Sequence, residues 1–185
     1  MLNSSFVQRL VEAGRWNTLF KFGRKQKIFD IGGVRIGGQP GELPTVLIGS
    51  IFHERQKIVK DRCLGIFDKI EAERLINIQE EMSNKTGVPC MLDVVGETSK
   101  ALIKYIEFVA SITNSPFLIN GPNASVRVEA ANYVREAGLQ DRAVYNSINY
   151  TLNEVDRKII SGLQLNGRVT LKELAKSTGY TNMGG

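Results

Sequence analysis

Histidine and cysteine are nearly absent from this chain, which has one histidine, His53, and two cysteines, Cys63 and Cys90, in 185 residues. A structural zinc site draws on four Cys or His ligands, and there is no C-x-x-C pair, so the chain cannot build one alone. Two isolated thiols without a secretion signal fit a reducing cytoplasm. The first twenty residues lack the apolar core of roughly 7–15 residues that a signal peptide needs. No apolar run approaches the roughly 18 residues that suggest a membrane span. No Gly-x-Gly-x-x-Gly follows a strand and no Walker loop appears, which weighs against a nucleotide fold.

What is present is an ordinary globular composition, 42% hydrophobic and 23% charged. That suffices for one core, or one core with a small appendage. It falls short of the roughly 200–250 residues of a whole (β/α)8 barrel. The net charge of +5 is unevenly spread. Residues 1–27 hold six basic side chains against Glu12, and 151–185 hold five against three acidic ones. Residues 28–150 are slightly acidic, with 13 basic and 15 acidic groups. The basic excess therefore sits at the ends, as solvated termini rather than a nucleic-acid face.

The hydrophobic pattern alternates between two periods. Phe6, Val7, Leu10 and Val11 follow helical spacing in an N-terminal extension over 1–19. Residues 27–38 read as a hairpin around Gly32-Gly33. The run 45–49 lacks alternation, as expected of a parallel strand buried on both faces. A helix over 68–86 presents Ile70, Ala72, Leu75, Ile76, Ile78, Gln79 and Met82 as a broad face ending near Gly87. Residues 90–95 form a second strand, with Cys90 a small buried residue. A helix over 99–113 follows, with Ser99 as its N-cap. A strand over 116–120, a helix over 124–138 closed by Gly138, and a strand over 143–147 complete the series. Cys63 lies in a polar stretch without an evident role. Strand and helix thus alternate as in right-handed parallel crossovers. Composition leaves a barrel and a doubly wound sheet both open.

In either architecture the active site lies at the C-terminal ends of the strands. Gly49-Ser50, Asp93 through Glu97-Thr98, Asn120, and Asn146-Ser147 with Asn149 occupy those ends. They supply a carboxylate, amides and hydroxyls, with no Lys, Arg or His. Such a set suits hydrogen bonding to a polar heterocycle better than clamping a phosphate. It lacks a nucleophile–base pair. The plainer reading is that Asp93 and Asn120 cap the helices that follow them.

The segments IGGQPGELPTVLIGSIFHE, LDVVGET, PFLINGP and DRAVYNSIN, in this order and spacing, resemble the H-subunit family of tetrahydromethanopterin S-methyltransferases. The likeness runs from about residue 20 to 149. It implies a partial (β/α)8 barrel of about four βα units, within the wider group of pterin-binding methyltransferase barrels. It also implies transfer of a methyl group from N5 of methyl-tetrahydromethanopterin to the Co(I) of a corrinoid. That corrinoid is carried by a partner subunit, and this chain binds no cofactor itself. By position, Asp93, Asn120 and Asn146 would contact the pterin, with Asn146 the candidate catalytic donor near N5 and Glu97 a further contact. A tertiary amine leaves poorly, so N5 needs a proton or a strong donor as the C–N bond breaks. The chain would be cytoplasmic, or peripheral to a membrane complex. Two departures stand out. Asn120 occupies a position where the family usually has an aspartate, and the likeness stops after the fourth strand, leaving a parallel sheet edge open to another copy of the chain.

Residues 151–185 change pattern. Leu152, Val155, Ile159, Ile160 and Leu163 share one helical face, and Thr170 with Glu173 form a capping box for a second helix. This segment resembles the first two helices of the Lrp/AsnC DNA-binding domain, a truncated helix-turn-helix. The recognition helix of that family would begin where the chain stops, which argues against specific DNA binding. A transcription regulator or an inactive fusion is the alternative reading.

Overall fold

The computed structural model describes residues 21–146, which contain eight strands, three α-helices and one 3-10 turn. Strands β1 (Ile28–Ile31) and β2 (Val34–Gly37) form the expected hairpin, with Ile31 opposite Val34. Its two-residue turn places both Gly32 (φ 53) and Gly33 (φ 88) at positive φ, where glycine avoids a side-chain clash. Asp30 Oδ1 accepts from the Gly33 amide at 2.9 Å.

Four strands then form one parallel sheet: β3 (Leu47–Ile51), β6 (Cys90–Val95), β7 (Phe117–Asn120) and β8 (Ala143–Tyr145), in the order β3-β6-β7-β8. Sequence order and spatial order coincide. Every right-handed crossover therefore steps the same way and lays its helix on the same face. A doubly wound sheet reverses direction partway, so this arrangement is an arc of a (β/α)8 barrel. The helices are α1 (Lys69–Thr86), α2 (Ser99–Ile112) and α3 (Ala124–Glu136). Ile76 of α1, Leu102, Ile106 and Val109 of α2, and Ala130 and Val134 of α3 meet Leu92, Val94, Phe117 and Ile119 of the sheet in one core. The β1–β2 hairpin lies against the N-terminal end of the sheet. The Gly32 amide donates to the Asp141 carbonyl at 3.0 Å, and a Cβ at Gly32 would stand 3.3 Å from Pro116, just ahead of β7.

Four expectations change. The first strand runs over Leu47–Ile51 and is not buried on both faces, because Leu47 and Ile48 are 58% and 52% exposed. It stands at the end of the strand order and has one neighbour among the described residues, so its apolar residues are only half covered. On α1 only Ala72 and Ile76 are buried, while Ile70, Ile78 and Met82 are exposed. That helix begins the row, and no helix among the described residues covers its far flank. The cap of α2 is Thr98, one residue before the expected Ser99. Its hydroxyl accepts from the Ala101 amide at 3.1 Å and donates to the Cys63 carbonyl at 2.7 Å. Finally, the loop after β3 contains a second hairpin, β4 (Val59–Asp61) with β5 (Ile66–Phe67), that the hydrophobic pattern did not reveal. Asp61 organises its turn by accepting from the Cys63 and Leu64 amides. Lys104 Nζ donates to the Leu64 carbonyl at 2.7 Å, which ties this hairpin to α2.

Beneath it lies an aromatic cluster. The rings of Phe52 and Tyr105 stack with centroids 4.3 Å apart, and Phe67 meets both edge-on. The Tyr105 hydroxyl is buried without a hydrogen-bond partner among the described residues. Burial raises its pKa first, and the nearby Asp61 and Cys63 raise it further. The folded state thus favours the neutral phenol. That contribution is present below the ordinary tyrosine pKa of roughly 10 and is lost as pH rises through the higher folded value. Tyr105→Phe is expected to stabilise the chain by about 1 kcal/mol at neutral pH by removing an unsatisfied buried hydroxyl. It should also flatten the loss of stability above about pH 10. Urea unfolding of both forms at neutral pH and near the tyrosine pKa of about 10 checks this, and a less stable variant at neutral pH would contradict it.

Candidate functional site: a carboxylate shared by four strand ends

Side chains alternate across a strand. Since Ile51, Leu92, Val94, Phe117 and Ile119 face the helices, Ser50, Asp93 and Asn120 must face the other side. Tyr145 packs on the helix side, which sends the next residue, Asn146, to the same inner face as Asp93. In the parallel register Ser50 stands opposite Asp93, and Asn120 opposite Val95.

The four polar residues meet on one carboxylate. Asp93 is 7% exposed. Its Oδ2 accepts from Ser50 Oγ at 2.9 Å and from Asn120 Nδ2 at 3.1 Å. Its Oδ1 accepts from Asn146 Nδ2 at 3.0 Å. An ionised carboxylate only accepts, so each asparagine must turn its NH2 towards it, and that fixes how both amides are presented. A carboxylate offers about four lone-pair sites. Three are taken by the protein, which leaves room for one further donor at Oδ1. Asp93 thus orients both amides and keeps acceptor capacity at Oδ1.

The backbone holds this arrangement. The Asn146 amide continues the ladder to the Ile119 carbonyl at 3.1 Å, and the Gly96 amide bonds the Asn120 carbonyl at 3.0 Å. Asp93 and Asn120 do not cap the next helices. Thr98 caps α2 and Asn123 caps α3, its side chain accepting from the Val126 amide at 3.0 Å. Glu97 lies past the end of β6, exposed, and no hydrogen bond joins it to the Asp93 cluster.

Ser50, which the sequence places at the first strand end, supplies one of the cluster's donors, and one residue that the sequence pattern did not single out supports it from behind. Arg127, in the first turn of α3, is 5% exposed and sits behind two strand ends. Its Nη1 donates to the Gly121 carbonyl at 2.7 Å, next to Asn120, and its Nε donates to the Tyr145 hydroxyl at 3.3 Å, next to Asn146. The guanidinium also stands 5.4 Å from the centroid of the Tyr145 ring. In the sequence such an arginine reads as a solvated helix charge; only its contact with a strand 18 residues later shows otherwise.

An open cleft of about 570 Å³ lies at the opposite, N-terminal end of the sheet, lined in part by Gly33, Glu80, Thr113 and Ser115. Glu80 accepts from both the Thr113 and Ser115 hydroxyls, so its polar groups serve each other. Groups from four different elements converge at the Asp93 end, and that convergence, rather than open volume, makes it the candidate site. Among the described residues there is no group of three His, Cys, Asp or Glu placed to hold a metal, and no helix long and apolar enough to cross a membrane.

These features define a class: a singly wound, barrel-type α/β chain with an acceptor carboxylate and amides at its strand ends. The family model for the MtrH subunit of tetrahydromethanopterin S-methyltransferase matches residues 24–178, and the chain belongs to this family. It is 46% identical over 160 residues to the H subunit of the putative methyltransferase mtx of Methanosarcina mazei, covering 86% of this chain and 52% of that one. It is 44% identical over 153 residues to the H subunit of tetrahydromethanopterin S-methyltransferase of Methanothermobacter thermautotrophicus, covering 83% and 49%. The corresponding H subunit of Methanocaldococcus jannaschii gives the same 44% identity over 153 residues, covering 83% and 48%. The chain therefore spans about half the length of the curated relatives it matches.

The family match also corrects the extent of the likeness. It continues to residue 178, past residue 149 and across most of the segment that resembles a helix-turn-helix. The likeness of 151–185 to a DNA-binding regulator gains no support from these comparisons. That segment and the N-terminal extension over 1–19 lie outside the described residues.

Proposed function

We propose that this chain binds methyl-tetrahydromethanopterin at the Asp93 cluster and holds N5 for transfer of its methyl group to a corrinoid on a partner subunit. The observation that carries this reading is the single carboxylate, Asp93, receiving donors from three other strand ends. The pyrimidinone edge of a pterin carries amide and amino N–H groups beside a carbonyl. Its reduced pyrazine ring carries N5. A buried acceptor with one remaining site, flanked by two oriented carboxamides, complements such a ring. The names of the relatives, H subunits of a tetrahydromethanopterin methyltransferase, point to the same substrate.

In the proposed reaction the methyl carbon leaves N5, the C–N electron pair stays on N5, and a proton from solvent neutralises it. The corrinoid, when its carrier is present, supplies the nucleophile that accepts the methyl group. This chain's residues do the rest. Asp93 anchors the ring, Asn120 fixes its rotation about that anchor, and Asn146 offers the hydrogen bond that strengthens as charge develops on N5. Glu97, exposed just past β6, is a further contact to the ring's rim on this reading. On this reading the chain works in the cytoplasm, beside the partner that carries the corrinoid.

The experiment is calorimetric titration of the full chain with tetrahydromethanopterin, with Asn120→Asp in parallel. The wild type is expected to bind at a single site. Asn120→Asp restores the carboxylate that the family usually carries here and sets two carboxylates within hydrogen-bond reach, where they would share one proton. Its affinity should therefore fall more steeply with rising pH than that of the wild type. Absence of binding by both forms would refute the substrate assignment.

A further inference from the structure

We propose that Gln56 is a positioning residue of this site, acting through Ser50 by satisfying the outward peptide groups of β3 at the edge where no strand among the described residues pairs. The proposal rests on the pterin reading of the Asp93 cluster and adds a residue to it.

The direction of the peptide groups of β3 follows from one bond. The Leu47 amide donates to the Pro89 carbonyl at 3.0 Å, on the β6 side. Alternation then turns residues 47, 49 and 51 towards β6 and residues 48, 50 and 52 towards the open edge. A free edge leaves such groups to water or to any passing strand. At the level of the site this does not happen. Gln56 Oε1 accepts from the Phe52 amide at 2.5 Å, and Gln56 Nε2 donates to the Ser50 carbonyl at 3.3 Å. A carboxamide has the donor and acceptor of a peptide unit, so one side chain satisfies both outward groups that flank Ile51.

The clamp is itself held in place. The Gln56 amide donates to the His53 carbonyl at 2.9 Å, and its own carbonyl accepts from the Val59 amide at 3.1 Å. Phe52 sits at φ 68, the one non-glycine residue at positive φ among the described residues. This backbone region is rarely adopted by bulky residues, and it persists where surroundings enforce it. Here the enforcement is visible on both sides. The Phe52 ring is locked against Tyr105 and Phe67, and its amide is locked by Gln56. Between the sharp turn at Phe52 and the body of β3 lies Ser50, whose hydroxyl must reach Asp93 Oδ2. The hydrogen bonds of Gln56 go to Phe52, Ser50, His53 and Val59 and not to Asp93; through them it sets the height and rotation of Ser50.

The test uses the full chain, tetrahydromethanopterin as probe, and the variants Gln56→Ala, Gln56→Glu, Ser50→Ala and Gln56→Ala with Ser50→Ala. Gln56→Ala is expected to weaken binding about fivefold to tenfold, the worth of one side-chain hydrogen bond. Gln56→Glu keeps the acceptor for Phe52 and loses the donor to Ser50, so it should fall between wild type and Gln56→Ala. In the Ser50→Ala background, removing Gln56 should have no further effect on affinity. Full persistence of the Gln56 effect in that background would overturn the route through Ser50, and undiminished binding by Gln56→Ala would overturn the proposal outright. A ligand-free readout separates this from the substrate reading. Losing the Ser50 bond leaves Asn120 as sole donor to Asp93 Oδ2, so the Asn120 side-chain amide proton should shift the same way in Ser50→Ala and in Gln56→Ala. If the wild type binds no pterin, the substrate reading fails, and this shift still decides the inference: movement in both variants upholds it, and an unmoved resonance in Gln56→Ala sinks it.

Discussion

Asp93→Asn should cost at least about a hundredfold in affinity for tetrahydromethanopterin while leaving the chain folded. The side chain keeps its shape, and its acceptor capacity falls. One of the two oxygens becomes an NH2 group and must face either Asn146 Nδ2 or the pair formed by Ser50 Oγ and Asn120 Nδ2. Whichever way the new amide turns, donor meets donor, and the bound ring loses its charged acceptor. Hydrogen bonds to a charged group are worth about 1.5–3 kcal/mol each, and a site left with unpaired polar groups discriminates steeply. The folding cost is expected to be about 1–3 kcal/mol, since one buried donor is left unsatisfied in a chain otherwise unchanged. Titration and thermal unfolding of the same sample separate the two effects. Affinity within a few-fold of wild type would remove Asp93 from the site.

Gly96→Ala, just past the end of β6, should destabilise the fold clearly. A Cβ at Gly96 would stand 2.5 Å from Leu102 Cβ and 2.6 Å from Leu102 Cα. The second of these is backbone, so no side-chain rotation relieves the clash; α2 must move away from β6. That helix carries Leu102, Tyr105, Ile106 and Val109 into the core, and the Gly96 amide holds the Asn120 carbonyl. Overpacking of this kind costs about 1–3 kcal/mol, and more where backbone must shift. For a chain of this size that corresponds to a melting temperature lower by about 2–12 °C, with the upper end expected because backbone must move. Gly23→Ala, where a Cβ meets nothing within 4 Å, serves as the control and should melt as wild type. Equal melting of all three forms would mean that α2 does not press on Gly96.

The contrast between these two residues shows what was legible before folding. Asp93, Asn120 and Asn146 could be read from the sequence because each ends or follows a short apolar run, and parallel strands deliver such residues to one end of the sheet. Their convergence on one carboxylate could not be read, since it depends on Ser50 standing opposite Asp93 in a register set by the whole β3–β6 ladder. Glu97 lies in the same stretch of sequence and stays out of the cluster, because the chain has already left the strand. The β4–β5 hairpin escaped notice because strands of three and two residues are too short to show a period. Arg127 and Gln56 were invisible for a different reason. A polar side chain near a helix start or in a loop looks solvated until the backbone groups it satisfies are known. Periodicity exaggerates the burial of β3 and α1, because it reports which residues are apolar and not how many neighbours the fold supplies. At the first strand and first helix of an open arc, that number is one fewer.

The measurement that bears most directly on the central claim follows the side-chain amide resonances of Asn120 and Asn146 in the full chain as tetrahydromethanopterin is added. Both pairs of NH2 signals are expected to move together along one saturation curve, with the curve lost in Asp93→Asn. Saturable binding that leaves both side chains unmoved would place the pterin elsewhere on the chain and contradict the assignment of the Asp93 cluster.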